Sequence, residues 1–167
     1  CMLAERYRDG LGVKQSKKKA IELYEMAAKG GDANAQYNLG LFYDQGLHGL
    51  TQSFKRAFEL FTLAANQGDA AAQTSLADMY RTGIYVEQSD TRAIELYEMA
   101  AKGGHATAQV NLGIFYAQGI HGLTQSDQRA IAFCTLAAEQ GLAEAQFNLG
   151  CIYAKGEDVE HSYSKAR

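Results

Sequence analysis

Two apolar stripes alternate along the chain. Ala35, Leu39, Phe42 and Tyr43 stand at i, i+4, i+7 and i+8, and Ala57, Leu60, Phe61, Ala64 and Ala65 stand at i, i+3, i+4, i+7 and i+8 one segment later. Each stripe marks a helix with one face turned to a core. The alternation has a fixed period. Leu3, Leu39, Leu76, Leu112 and Leu149 are each followed four positions on by Tyr7, Tyr43, Tyr80, Tyr116 and Tyr153, so the tyrosines step by 36, 37, 36 and 37 residues. Ala20, Ala57, Ala93, Ala130 and Ala166 follow those tyrosines by 13 or 14 positions in alternation, so every second loop carries one extra residue. The longer loops read GLHGLTQS (Gly46 to Ser53) and GIHGLTQS (Gly119 to Ser126).

A longer echo encloses the short one. Ile21 to Gly31 reads IELYEMAAKGG, and Ile94 to Gly104 repeats it letter for letter, 73 positions on. The unit is therefore a helix pair, doubled and then duplicated, and self-similarity at fixed spacing signals an array of stacked units. Helices of about 12 to 14 residues are marginal alone and need neighbours to bury their apolar faces. Gly40, Gly113 and Gly150, with Ala4 and Ala77 at matching places, are expected to let the two helices of a unit approach closely, since glycine in a helix interior costs about 1 kcal/mol against alanine.

The punctuation agrees with the period. Ser16, Ser53, Ser89, Ser126 and Ser162 stand four residues before the marker alanines, where a side-chain oxygen caps the second helix. Asp32 and Asp69 are placed to cap first helices, with His105 in the equivalent position. Gly31, Gly68, Gly104 and Gly141 mark the ends of second helices. Proline is absent and no linker-like stretch interrupts the pattern. The predicted organisation is one domain, residues 1–167, made of a partial repeat 1–31, repeats 32–68, 69–104 and 105–141, and a partial repeat 142–167.

The recurring unit A-Q-x-N-L-G-x-x-Y-x-x-G, a loop, then K/R-A-I-E-L-Y-x-x-A-A-x-x-G resembles the Sel-1-like repeat, a relative of the tetratricopeptide repeat. The resemblance covers the whole chain in about four and a half units. It implies an all-α fold, an α-α solenoid wound as a right-handed superhelix of antiparallel helix pairs, and a role as adaptor or scaffold for protein complexes. The secreted bacterial branch of the family places a cysteine pair in each repeat, and this chain departs from that pattern. It also departs at Tyr85, which stands where the first unit has Gly12 and is expected to shape its loop differently.

Net charge is −3 and the pI about 5.8, which argues against nucleic-acid binding through a basic face. Lys17, Lys18 and Lys19 form the one dense basic run and read as a solvated helix start. No apolar run is long enough to span a bilayer. Cys1, Cys134 and Cys151 form no disulfide framework or metal-type spacing, a usage that leans toward a reducing compartment without naming one. Cys134 takes a slot filled elsewhere by Tyr24, Phe61 and Tyr97, and is expected to pack as a small hydrophobe. His48 and His121 lie in equivalent loops about 20 Å or more apart, too far to share an ion. His161 sits near the chain end. No metal or cofactor is expected, and the motifs of hydrolases, nucleotide binders and metalloproteases are missing. The chain reads as an excised piece of a longer array, and dimerisation through its ends would then be an artefact of cutting.

Function is expected on a surface. At 100° per residue, the first helix of each repeat carries a face opposite its Leu–Tyr stripe. The residues placed there are Tyr37, Asn38, Leu41 and Asp44, then Ser75, Asp78 and Arg81, then Val110, Asn111 and Ile114, and last Phe147 and Asn148. This face is expected to line the concave groove and bind a partner polypeptide. Tyr37, Leu41, Val110, Ile114 and Phe147 are expected to be partly exposed, as binding surfaces are. Asn38, Asn111 and Asn148 offer amides either to an extended peptide or to a neighbouring repeat. Glycan or cell-wall ligand binding, or a weak hydrolase activity, is the alternative that the secreted branch suggests. The twins differ at Tyr37 against Val110 and at Asp44 against Ala117, and these differences point to a specific partner better than the shared positions do.

Overall fold

The period is realised as a series of short helices joined by tight loops. The computed structural model describes residues 2–165, with side chains for residues 2–155. Its helices are α1 (Met2–Asp9), α2 (Lys17–Lys29), α3 (Ala33–Gln45), α4 (Phe54–Asn66), α5 (Ala70–Thr82), α6 (Asp90–Lys102), α7 (Ala106–Gln118), α8 (Asp127–Glu139) and α9 (Ala143–Lys165). No strand occurs among the described residues, and the fold class is the all-α, helix-pair solenoid that the pattern predicts. Two compact units divide the chain within α6, at Leu96 and Tyr97.

In the first unit, α3 and α4 show how a repeat is built. They run antiparallel: Arg56 at the start of α4 lies over the ring of Tyr43 at the end of α3, while Gln67 beyond the end of α4 bonds Gln36 near the start of α3. Contact between them is close because Gly40 has no side chain. A Cβ there would meet the Phe61 ring at 2.6 Å. Phe61, Ala57, Ala64, Leu76 and Met79 form one buried cluster, and Tyr24, Ile21, Leu39 and Phe42 form another. In the second unit, Cys134 fills the Phe61 position and Gly113 lies against its sulfur, where a Cβ would come within 2.5 Å. Cys134 is fully buried, as expected of a small hydrophobe.

The loop ends are held by one recurring device. Each capping serine gives its backbone N–H to the carbonyl of the preceding marker tyrosine: Ser16 to Tyr7, Ser53 to Tyr43, Ser89 to Tyr80 and Ser126 to Tyr116, at 2.8 to 2.9 Å. The serine oxygen then accepts from the backbone N–H three residues on, at Lys19, Arg56, Arg92 and Arg129. That same residue lays its cation over the tyrosine ring, 5.1 to 5.6 Å from the centroid. The serine is thereby tied to the tyrosine whether nine or ten positions separate them, and the longer loops absorb their extra residue in a small turn, Leu50 to Leu47 and Leu123 to Ile120. Cation–π contacts at such exposed sites contribute about 0.5–1 kcal/mol each. Ser162 falls where side chains lie outside the description. The backbone there is helical through Lys165, so a new helix does not begin at Ser162.

First helices start as predicted at Asp32 and Asp69, whose carboxylates accept from Ala35 and Ala72 at 2.7 and 2.8 Å. His105 occupies the third such position without a side-chain cap hydrogen bond. Replacing His105 by aspartate should raise stability by about 1 kcal/mol, read as a higher denaturation midpoint with unchanged slope. An unchanged midpoint would show that the cap is already supplied.

The position five residues past each marker tyrosine is left-handed in four loops: Gly12 (φ 74°), His48 (58°), Tyr85 (69°) and His121 (56°). Tyr85 therefore takes the conformation of the glycine it replaces, and its ring packs on Phe58 at 5.6 Å. The histidines set their rings edge-on to Phe42 and Phe115, at 4.6 and 4.7 Å. Burial, and then the cations of Lys17 and Arg8, hold the His48 pKa below its usual value against the opposing Asp9. The folded state thus favours neutral His48. Its contribution is intact above the unfolded pKa of about 6.5 and is lost as pH falls through the depressed folded value. The melting temperature of the wild type should drop more between pH 7.5 and pH 5 than that of His48→Gly, which keeps the left-handed backbone. Parallel curves would rule out this linkage.

Candidate functional site

Five of the twelve predicted partner-binding residues meet in one cleft of the first unit. Leu41 and Asp44 come from α3, and Ser75, Asp78 and Arg81 from the facing side of α5. Phe61 and Met79 form the floor, Ile84 stands at the rim, and the cleft holds about 230 Å³. The two first helices are joined beside it by a hydrogen bond between the Tyr37 hydroxyl and Ser75. The Tyr37 ring packs on Phe61 at 5.9 Å. Burial raises the Tyr37 pKa, and the bond to Ser75 partly opposes the rise.

The cleft is charged unevenly. Arg81 donates to Asp78 at 2.9 Å, an i, i+3 pair on α5. Asp44 is half-buried, and burial alone pushes its carboxyl above the usual carboxylate range. Desolvation disfavours the charged form of an acid, and an adjacent cation is what ordinarily reverses that shift.

Asn38 makes a bond that neither of its two readings named. Its amide donates to the Asn34 carbonyl of its own helix at 2.8 Å. Asn111 is half-buried, and the Nδ2 of Asn148 is buried without a hydrogen-bond partner among the described residues.

In the second unit the expected exposure fails at Val110, which is 1% exposed. It packs with Ala137 of α8 and Ala145 of α9, and Ile114 packs against the same cluster. The cause is visible in the equivalent slots. Tyr37 and Thr74 of the first unit are half-buried and buried, so in these two repeats, as at Val110, a neighbouring helix covers the position. Phe147 in that slot is 69% exposed.

Two further features escaped the reading of the sequence. Gln36, Gln73 and Gln109 are buried, and each donates to the carbonyl of an alanine near the end of the preceding second helix, Ala28, Ala65 and Ala101, at 3.1 to 3.3 Å. Gln67 and Gln140 donate in turn to the side-chain oxygens of Gln36 and Gln109. Such hydrogen-bonded buried amides favour one packing arrangement. Their signal was the invariant A-Q that opens each unit. Second, Met26, Leu63, Met99 and Leu136 occupy one register position of the second helices and are 47% to 70% exposed. Their spacing of 37, 36 and 37 was available in the sequence. Beside Leu63, a shallow cleft of about 410 Å³ lies between α2 and α4, with Leu60 and Tyr43 in its wall and Glu25, Lys29, Arg56 and Glu59 around it.

Other chemistry is sparse. Burial pushes the Cys134 thiol up, away from a reactive thiolate. Among the described residues, no three histidine, cysteine or acidic side chains gather as metal ligands, and no helix is long and apolar enough to cross a membrane.

The family model described as Sel1 repeat matches the chain in five segments, residues 1–32, 33–69, 70–105, 106–142 and 143–167. Among solved structures, the chain is similar to a Sel1 repeat protein from Oxalobacter formigenes, with 34% identity and a TM-score of 0.85, over 93% of this chain and 62% of that one. It is also similar to c5321, a protective antigen of uropathogenic Escherichia coli with an SLR fold, at 32% identity and a TM-score of 0.84, over 92% of this chain and 33% of the antigen. The chain thus spans less than two thirds of either relative. Helicobacter pylori cysteine-rich protein B shares the fold at 20% identity and a TM-score of 0.60, over 80% of this chain and 94% of that one. No curated protein matches the chain.

Proposed function

Because the chain belongs to the Sel1 repeat family, whose members are generally protein-interaction scaffolds and typically not enzymes, we propose that it is a non-catalytic module that binds a partner polypeptide on its first helices. In the first unit the binding point is the cleft between α3 and α5. The observation that carries this reading is the convergence of Leu41, Asp44, Ser75, Asp78 and Arg81 on one concavity with an apolar floor. An apolar recess with a few converging polar groups is what ligand sites share. In the second unit the surface offered is the exposed ring of Phe147 on α9, 69% exposed, with the half-buried Asn111 and Ile114 of α7 as further candidates beside Asn148 of α9 in sequence register. Val110, buried against Ala137 and Ala145, contributes by packing and not by contact with a partner.

The test is a selection of random 12-residue peptides on the chain, followed by affinity measurement on variants. Combining Ile84→Ser and Asp78→Ala should weaken the selected peptides at least tenfold without changing helical content. Leu63→Ser, on the second-helix face, should leave binding intact. Peptides that depend on Leu63 and ignore Ile84 and Asp78 would refute the proposal. A glycan array run beside the selection tests the ligand class that the secreted branch suggested.

A further inference from the structure

We infer that the cleft between α3 and α5 receives a lysine or arginine side chain of the partner polypeptide, its aliphatic stem against Leu41 and Ile84 and its cationic head at Asp44. This rests on the cleft being a polypeptide site and names what enters it.

Size comes first. At about 230 Å³ the cleft lies below the roughly 300–1,000 Å³ of small-molecule pockets and suits one long side chain. Its wall is apolar at Leu41, Phe61, Met79 and Ile84, with Ile84 42% exposed at the rim. Lysine and arginine combine an apolar stem with a charged tip, so they match a recess that is apolar in its wall and acidic at one point.

Charge selects the tip. The cleft holds two carboxylates, Asp44 and Asp78, and one guanidinium, Arg81, which Asp78 already engages at 2.9 Å. Among the described residues Asp44 has no cation of its own, and its raised pKa reflects burial alone. An acidic ligand would bring a second anion beside it. A purely apolar ligand would strip its remaining water without replacing it, and burying a charge unpaired is costly. A cation offsets both penalties and adds a charge-assisted hydrogen bond.

The duplication supplies the control. α3 and α7 are near copies, AQYNLGLFYDQG against AQVNLGIFYAQG, yet Asp44 is matched by Ala117. Asp78 and Arg81 are matched in α9 by Cys151 and Ala154. The same helix pair thus forms without any of these charges, and the fold does not require them where they occur.

The experiment records amide and methyl spectra of the chain during titration with N-acetyl-arginine methylamide, and with its neutral counterpart N-acetyl-citrulline methylamide. Arginine should shift Leu41, Asp44 and Ile84, and citrulline should bind at least tenfold more weakly. Asp44→Ala, which installs the residue the twin carries, should reduce arginine to the citrulline level. Equal binding of the two probes, shifts confined to other surfaces, or an unaffected Asp44→Ala variant would overturn the inference. So would a response to spermidine that exceeds both probes, or self-association of the chain through the same residues. Selected peptides that need Ile84 but contain no lysine or arginine would overturn this inference alone, whereas peptides indifferent to Ile84 would remove the polypeptide reading beneath it.

Discussion

Replacing Tyr24 or Tyr97 by alanine should cost about 3–5 kcal/mol in each case, the range for removing a large buried aromatic side chain. Both are fully buried and occupy the same slot in the two copies. Each sets its ring against a phenylalanine of the following first helix, Tyr24 on Phe42 at 5.2 Å and Tyr97 on Phe115 at 5.6 Å, close to edge-to-face. Such pairs contribute about 0.5–1.5 kcal/mol beyond burial. The slot links a second helix to the next first helix, so the cavity disrupts the contact between repeats on which a solenoid depends. For a chain of this size, the loss corresponds to a fall of roughly 6–20 °C in melting temperature. Cys134 fills the same slot with far fewer atoms, and Cys134→Ala should cost well under half as much. Thermal denaturation of the three variants checks this. A cysteine variant as damaged as the tyrosine variants would mean that the slot's energy does not come from filling it.

One substitution should have opposite signs at repeat-equivalent glycines. Gly40→Ala places a Cβ 2.6 Å from the Phe61 ring, which cannot yield without moving α4. Overpacking costs about 1–3 kcal/mol, and the gain in helix propensity returns about 1 kcal/mol, so the net effect is a loss of up to about 2 kcal/mol. Gly150, in α9, has open space where the alanine methyl would sit, with nothing among the described residues within 4 Å. There the propensity term acts alone, and Gly150→Ala should stabilise by about 1 kcal/mol. Urea denaturation of both variants decides the matter, with midpoints moving in opposite directions. Movement in the same direction would contradict the close approach at Gly40.

These contrasts show what a repeated pattern reveals. The glycine register was legible, and its packing reason holds at Gly40 and Gly113, where a second helix crosses. At Gly150 the sequence carries the same letter without a crossing side chain nearby. Capping at Ser16, Ser53, Asp32 and Asp69 was legible because it depends on residues three positions apart. Cation stacking on the marker tyrosines was not read, although Lys19, Arg56, Arg92 and Arg129 keep the same alternating spacing as the alanines.

The candidate site was legible in part for a related reason. A helical wheel identifies the face opposite a helix's own core stripe, and Leu41, Asp44, Ser75, Asp78 and Arg81 of that face line one cleft. It does not say which part of that face the adjacent repeat covers. Val110 is lost to Ala137 and Ala145 in this way, and Tyr37 is drawn toward Phe61 and Ser75. The wheel also leaves out local bonds such as that of Asn38 to a carbonyl four residues back, which polar side chains within helices often form. The difference between the twins at Asp44 and Ala117 carries separate information, since it marks a charge that the shared fold does not need.

Everything proposed for function depends on where the partner sits, and photo-crosslinking reads that location. A benzophenone side chain at position 84, on the rim of the α3–α5 cleft, should capture a selected peptide. The same group at position 63, on the exposed face of α4, should not. Capture at position 63 with none at position 84 would place the partner on the second helices and overturn the assignment of the cleft.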